Sequence, residues 1–295
     1  MKFQFSRRSA LKQLAGSAAV MSLASFMGAS LESSEKALGR ELKGRIKHSV
    51  CKWCYDKIPI EDFCVAAKSI GIQSIEYVGP EVWPILKKHG LTSAMPTGAG
   101  LGIEKGFCDT QYHADLIKSF TEVIPLAAKA GYDQIICFSG NRNGIDDETG
   151  LANCVKGLKP LLKVAEDYKV TISMELLNSK INHKDYMCDR TAWGVELCDR
   201  IGSDRFKLLY DIYHMQIMEG DVIRTIRKYH PYFSHYHTAG VPGRNEIDES
   251  QELFYPAVMR AIIETGYTGF VGQEFIPKRL EPIAALRQGV EICDV

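Results

Sequence analysis

The sequence carries no excess of charge of either sign: 36 Lys and Arg face 36 Asp and Glu over 295 residues. Nucleic-acid and membrane-surface binders rely on a basic patch or stripe, so this balance argues against both. There is also no unbroken apolar run approaching the roughly 20 residues that a transmembrane helix needs, and stable membrane insertion is not expected. No disulfide framework is visible, because nine cysteines is an odd number and their spacing is irregular. Cys51-Lys-Trp-Cys54 has C-x-x-C spacing, but no second pair follows at zinc-finger distance. It reads as the end of a first strand rather than a redox or zinc motif. Finally, no G-x-G-x-x-G turn follows that strand. Gly98-Ala-Gly100-Leu-Gly102 comes later and reads as a flexible loop, not a phosphate cradle.

At the N-terminus, Phe5-Ser-Arg7-Arg8-Ser-Ala-Leu-Lys12 precedes a weakly apolar, Ala/Ser/Gly-rich run that ends near Ser30. That is the layout of a twin-arginine export signal. The expected division is a signal at 1–30, a polar linker at 31–43 and one folded domain at 44–295. Export through that pathway moves proteins already folded in a reducing compartment, which suits free buried thiols and a metal loaded beforehand. The expected location is therefore periplasmic or exported.

From residue 47 onward a short apolar run, a loop and an amphipathic helix recur. Strands are expected at 48–51, 74–78, 92–95, 134–138, 170–175, 206–211, 232–237 and 269–274. Helices are expected at 60–70, 80–89, 112–130, 149–168, 192–201, 221–229, 253–265 and 282–293, several of them ending at a glycine C-cap. Eight strands alternating with eight helices predict an α/β fold of the (β/α)8 TIM-barrel type, and about 250 residues is its usual size. A doubly wound open sheet is the runner-up.

Buried parallel strands read as apolar runs, and an ionised carboxylate at the end of one is costly unless it is paired or holds a metal. The run from Phe206 to Tyr210 ends in Asp211, for which an N-cap or a buried ion pair is the simpler reading. Three further strands end in the same manner, in Glu175, His237 and Glu274. Alternation along Val170-Thr-Ile-Ser-Met-Glu175 turns Val170, Ile172 and Met174 to the helices and Thr171, Ser173 and Glu175 to the interior. The same parity turns Asp211 inward, sets His235 on the face of His237, and sets Glu274 on the face of Gly272. Three carboxylates would repel each other without a cation, and no Lys or Arg ends these strands. Glu175, Asp211, His237 and Glu274 are therefore the candidate ligands of a divalent ion, with Mn, Mg or Co favoured and Zn tolerated. His214, three residues past Asp211, and Arg244, in the loop after the seventh strand, are candidates to touch a substrate on that ion. Asn178, His183, Lys184 and Arg142 lie on neighbouring loops. His89, His113 and His230 are expected to be structural.

Tyr210-Asp-Ile-Tyr-His-Met-Gln-Ile-Met-Glu-Gly-Asp221, Pro242-Gly-Arg-Asn-Glu246 and Gly272-Gln-Glu274 resemble the hydroxypyruvate isomerase family, from about Cys51 to Lys278. That family sits among the xylose-isomerase-like (AP-endonuclease-2-like) barrels, together with ketose 3-epimerases. The resemblance implies that Glu175, Asp211, His237 and Glu274 hold the metal. It also implies that Glu175 and Glu274 act as the acid/base pair, and that His214 and Arg244 contact substrate oxygens. Two features depart from it. Hydroxypyruvate isomerases often carry Gln where this chain has His237, as the epimerases do, and they are cytoplasmic.

The expected activity is metal-dependent isomerisation of a small α-hydroxy carbonyl compound, such as hydroxypyruvate, tartronate semialdehyde or a sugar, through an enediolate. Ketose 3-epimerisation is the alternative. A non-catalytic periplasmic sugar or acid binding protein would show tight binding without turnover or metal dependence. A nuclease on the same fold would want more ligands and a basic groove. Substrate, metal, oligomeric state and cleavage of the signal are left open by the sequence.

Overall fold

The structure is a computed structural model and describes residues 41–295. The export signal expected at 1–30, and most of the linker, lie outside the described residues.

Nearly every expected element is present. In chain order these are β1 (Lys47–Cys51), α1 (Ile60–Ile70), β2 (Ser74–Glu76), α2 (Trp83–Lys88), α3 (His113–Ala130), β3 (Gln134–Cys137), α4 (Asp147–Tyr168) and β4 (Thr171–Glu175). They continue with α5 (Thr191–Ile201), β5 (Phe206–Asp211), α6 (Ile212–Met218), α7 (Val222–Tyr229), β6 (Phe233–Thr238), α8 (Tyr255–Glu264), β7 (Phe270–Gln273) and α9 (Pro282–Cys293). The strands pair in the order β2-β1-β7-β6-β5-β4-β3, every pair parallel.

The third expected strand, at 92–95, is not a regular strand. The segment still bridges the gap: Ile75 N–H donates to Thr92 O at 3.0 Å and Tyr77 N–H to Met95 O at 3.0 Å, while Ile136 N–H reaches Pro96 O at 3.5 Å. It therefore joins β2 to β3 as the eighth stave of an α/β TIM barrel. Its ladder is broken for a local reason. The Ala94 N–H goes to the Ser74 hydroxyl at 2.7 Å instead of a backbone carbonyl, and Pro96 has no N–H to give.

α6 is the other departure. The sequence reading passed from Asp211 straight to a helix beginning at residue 221, but the chain turns helical at once. Asp211 Oδ1 accepts the His214 N–H at 3.0 Å, so the strand's last side chain caps the helix that follows it.

The inward and outward faces follow the expected parity. Ile172, Met174, Leu208 and Tyr210 join the large apolar layer between strands and helices. Inside the barrel, Met95, Ile136 and Leu209 form a small separate apolar cluster, with Tyr77 and Phe138 against it. α1 shows how a helix is seated: Phe63, Cys64, Ala67 and Ile70 face the core, and Gly71, at φ 94°, closes the helix by donating to Ala67 O. All nine cysteines are free thiols, as expected. No helix among the described residues is long and apolar enough to cross a membrane.

Candidate metal centre and active site

Glu175, Asp211 and His237 lie on β4, β5 and β6, and Glu274 follows β7 directly. Register aligns Asp211 with His237 across β5 and β6. The four side chains are buried, and each offers one ligand atom within 4.8 Å of the other three. All four expected ligands therefore meet at one point at the C-terminal end of the barrel, where active sites of this fold lie.

The three carboxylates share a pattern. One oxygen of each is held by a protein donor: Glu175 Oε2 by the Tyr77 hydroxyl at 2.6 Å, Glu274 Oε1 by Trp53 Nε1–H at 2.8 Å, and Asp211 Oδ1 by the His214 N–H at 3.0 Å. The other oxygens converge. His237 Nδ1 is 3.3 Å from Glu175 Oε1 and 3.0 Å from Glu274 Oε2. Asp211 Oδ2 and Glu274 Oε2 are buried without a properly aligned hydrogen bond. Orphaned anionic oxygens at the centre of a cluster, beside one imidazole nitrogen, are the donor set a hard divalent cation would take.

The electrostatics record the same crowding. Burial, and then the charge of Glu274, push the Asp211 carboxyl well above the usual carboxylate range. The same two causes raise Glu175. Burial acts upward on Glu274 as well, but Arg244 and His237 outweigh it and hold that carboxyl well below its ordinary value. Arg244 Nη2 lies 2.7 Å from Glu274 Oε2 and 3.6 Å from Asp211 Oδ2. Its guanidinium is stacked between Trp53 and Tyr213, 5.0 and 5.4 Å from the ring centres. Arg244, read from the sequence as a candidate to touch a substrate, thus lies beside the candidate ligands Asp211 and Glu274.

His214 is also where it was expected, and its tautomer can be read. Its Nδ1 accepts the backbone N–H of Asn178 at 3.0 Å, so the ring proton sits on Nε2. Burial, and then Arg244, lower its pKa well below the ordinary value, which keeps the ring neutral. Nε2 is buried, has no hydrogen-bond partner, and lies 3.7 Å from Asp211 Oδ2. It is a neutral N–H donor at the edge of the carboxylate cluster.

Other candidates divide. His183 packs against His214 with the two rings tilted, their centres 5.3 Å apart. With Lys184, Ile103, Glu104, Asn141 and Asn182 it lines a cavity of about 550 Å³. Arg142 does not join the site. It pairs with Asp147 and Asp189 and donates to Met187 O, tying two loops together. His113 accepts a structural role at Phe107 O and His89 at Glu61, as expected. The Gly98–Gly102 loop has three glycines at positive φ and leads into Ile103 and Glu104 of the cavity rim.

Three residues of the site escaped the sequence reading: Trp53, Tyr77 and Glu76. Glu76 ends β2 just as Glu175 ends β4, so extending the strand-end rule to the shortest strand would have found it. Trp53 sits inside the Cys51–Cys54 motif, whose conspicuous residues are the cysteines. Cys51, Glu76 and His237 make a second close group. Burial keeps Cys51 a thiol, raising its pKa well above the ordinary value, and both Glu76 oxygens already have partners. The orphaned oxygens belong to the first group.

A family profile described as "Xylose isomerase-like TIM barrel" matches residues 65–294. Among curated relatives, a 2-oxo-tetronate isomerase from Cupriavidus necator is 27% identical over 238 residues, covering 76% of this chain and 90% of that one. A putative hydroxypyruvate isomerase from Homo sapiens is 33% identical over 105 residues, only 36% of this chain and 38% of that protein. Among solved structures, an AP endonuclease of family 2 from Brucella melitensis superposes with a TM-score of 0.72 at 24% identity, covering 82% of this chain and 97% of that one. A 3-keto-D-glucoside 4-epimerase from E. coli gives 0.71 at 18% identity, covering 83% and 98%. These structural likenesses speak for the fold, and the sequence relatives are isomerases by name, as the motifs had suggested. With the profile spanning nearly the whole barrel, the chain belongs to the xylose isomerase-like TIM barrel family.

Proposed function

We propose that the protein is a metal-dependent isomerase of a small α-hydroxy carbonyl compound, with Glu175 and Glu274 as its acid/base pair. The observation that carries this reading is the shared construction of the two glutamates. They stand at the ends of β4 and β7, each with one oxygen turned to the common centre and the other held by an aromatic donor.

Glu175, Asp211, His237 and Glu274 would hold a divalent ion, Mn, Mg or Co by their oxygen-rich donor set, with Zn also accommodated. When bound, that ion supplies Lewis-acid stabilisation of negative charge developing on the substrate. The remaining steps belong to the protein. One glutamate removes the proton from the hydroxyl-bearing carbon beside the carbonyl, the other returns a proton to the former carbonyl carbon, and the hydroxyl proton passes to the former carbonyl oxygen, which makes an aldose/ketose-type isomerisation. Base catalysis of this kind typically contributes about 10²- to 10⁴-fold. His214 donates its Nε2–H to a substrate oxygen, and Arg244 grips an anionic or hydroxyl group. Trp53 and Tyr213 hold the Arg244 guanidinium in plane, and burial of the cluster excludes water. The relatives' names favour 2-oxo or hydroxypyruvate-like acids. Ketose 3-epimerisation is the second reading. It uses the same two bases on opposite faces of one carbon, and His237 at the third ligand position favours it. Residues 1–30 would carry the protein out of the cytoplasm through the twin-arginine route. Arg7 and Arg8 both changed to Lys should leave it in the cytoplasm on cell fractionation.

The test is incubation of the metal-loaded protein in deuterated water with a panel of hydroxy-keto acids and ketoses. Deuterium should enter the carbon next to the carbonyl, and Glu175→Gln and Glu274→Gln should each abolish turnover. Tight binding of a panel member without exchange, and unaffected by chelator, would make the protein a binding protein instead.

A further inference from the structure

We propose that Glu76 is a positioning residue for the metal: it takes the Nε2–H of His237 and so turns Nδ1 toward Glu175, Asp211 and Glu274. This inference rests on the metal reading above.

Glu76 is fully buried at the end of β2, in a barrel interior where a lone carboxylate would be expensive. Every side-chain partner around it is a donor. Its Oε2 lies 2.8 Å from His237 Nε2, and His235 Nε2 lies 2.9 Å from Oε1 and 3.0 Å from Oε2. The Ser49 hydroxyl donates to Oε1. His237 thus stands between two sets of carboxylates, one on each ring nitrogen. On the Nε2 side the oxygens have their hydrogen bonds. On the Nδ1 side Asp211 Oδ2 and Glu274 Oε2 lack an aligned hydrogen bond and have the Arg244 guanidinium 3.6 and 2.7 Å away as their charge partner. A ring nitrogen that carries a proton belongs with the satisfied carboxylate, and a ring nitrogen that offers a lone pair belongs with the orphaned ones. Glu76 therefore fixes both the tautomer and the orientation of the ring, as outer carboxylates do for ligating histidines elsewhere.

A second observation supports the arrangement. β7 carries Gly272 directly against this pair. A Cβ there would fall 2.8 Å from His237 Cδ2 and 3.0 Å from Glu76 Oε1. The φ of Gly272 is not in the left-handed region, so the backbone does not require glycine. Space for the two side chains does.

The experiment is titration of the full chain with Mn²⁺ and with Zn²⁺, following affinity directly. Glu76→Gln keeps the shape of the side chain but replaces a charge-assisted acceptor with an amide. It should weaken both metals about 10- to 100-fold, measured at a temperature where circular dichroism shows both metal-free proteins fully folded. Ser49→Ala removes a hydrogen bond on the far side of Glu76 and should leave metal affinity unchanged. Equal affinity of Glu76→Gln and wild type overturns the inference. If wild type itself binds neither metal, the metal reading fails first, and the two failures are thereby distinguished. Should Glu76→Gln not fold, a crystal of zinc-loaded wild type decides. Nδ1 within about 2.0–2.1 Å of zinc, with Glu76 on Nε2, supports the proposal, and zinc on Nε2 overturns it.

Discussion

Asp211 answers two demands with two oxygens. Oδ1 caps α6 through the His214 N–H, and Oδ2 is left bare beside the other ligands. The N-cap reading of this residue is thus met by one oxygen, and the other is left available for the proposed ligand role. The cap also places His214 one helical turn from the carboxylate cluster, where Asn178 fixes its tautomer from behind. In the proposed reaction a neutral donor held in this way would act on developing negative charge without touching the ion. His214→Gln should therefore lower kcat/KM about 10²- to 10³-fold, as removal of one preorganised donor does elsewhere. Metal affinity, measured by titration, should not change. Unchanged kcat/KM on a verified substrate would remove His214 from the reaction. At this scale the four converging residues were legible, because each ends an apolar run with a charge or an imidazole that needs an explanation. Trp53, Tyr77 and Glu76 were not. Their importance lies in which oxygen or nitrogen they touch, and those partners are about 98 to 221 residues away in sequence, distances only the fold closes.

Among elements, the loop after β6 shows how a motif can serve position more than chemistry. In Pro242-Gly-Arg-Asn-Glu246, Arg244 enters the site, while Glu246 turns away from it. Its Oε1 accepts the backbone N–H groups of Lys278, Arg279 and Leu280 at 2.8, 2.7 and 3.3 Å. That ties the Arg244 loop to the segment following Glu274. Burial acts to raise the Glu246 pKa, but the backbone donors prevail and lower it. A carboxylate with a depressed folded pKa stabilises the protein fully above its unfolded value near 4.3, and that stability is lost as pH falls through the folded value. Glu246→Gln should therefore unfold at lower temperature than wild type at pH 7, by the equivalent of about 1–3 kcal/mol. The gap should narrow as the scans move below about pH 4, where wild type loses the same charge. A gap that is constant with pH would mean that the carboxylate charge plays no part in the tie. The elements themselves were mostly legible from apolar periodicity and glycine caps. The stave at 92–95 misled because its composition is that of a strand, whereas its hydrogen bonds depend on the Ser74 hydroxyl and on Pro96. α6 was hidden because its first turn is set by a side chain of the preceding strand.

For the whole molecule, the barrel brings together three buried carboxylates from separate strands, and the folded state bears their mutual repulsion. Asp211 and Glu175 both have raised pKa values for this reason, after burial. A cation that binds only the folded protein removes that cost and adds its own linkage. At 100 times its dissociation constant it stabilises by about 2.7 kcal/mol. For a domain of this size each kcal/mol moves the midpoint by about 2–4 °C, so saturating Mn²⁺ should raise the unfolding temperature by about 5–10 °C. Chelator should return it to the metal-free value. Asp211→Asn separates repulsion from binding. Without metal the variant loses one of the opposed charges, so its midpoint should equal or exceed that of metal-free wild type, although a buried side chain has been altered. With metal it should gain little, because an amide oxygen replaces an anionic ligand. The two proteins should therefore exchange rank between chelator and saturating Mn²⁺ in one set of thermal scans. If Asp211→Asn were the less stable protein under both conditions, the cap made by Oδ1 would outweigh the repulsion at Oδ2. The case that this cluster is built around a cation would then have to rest on direct binding alone.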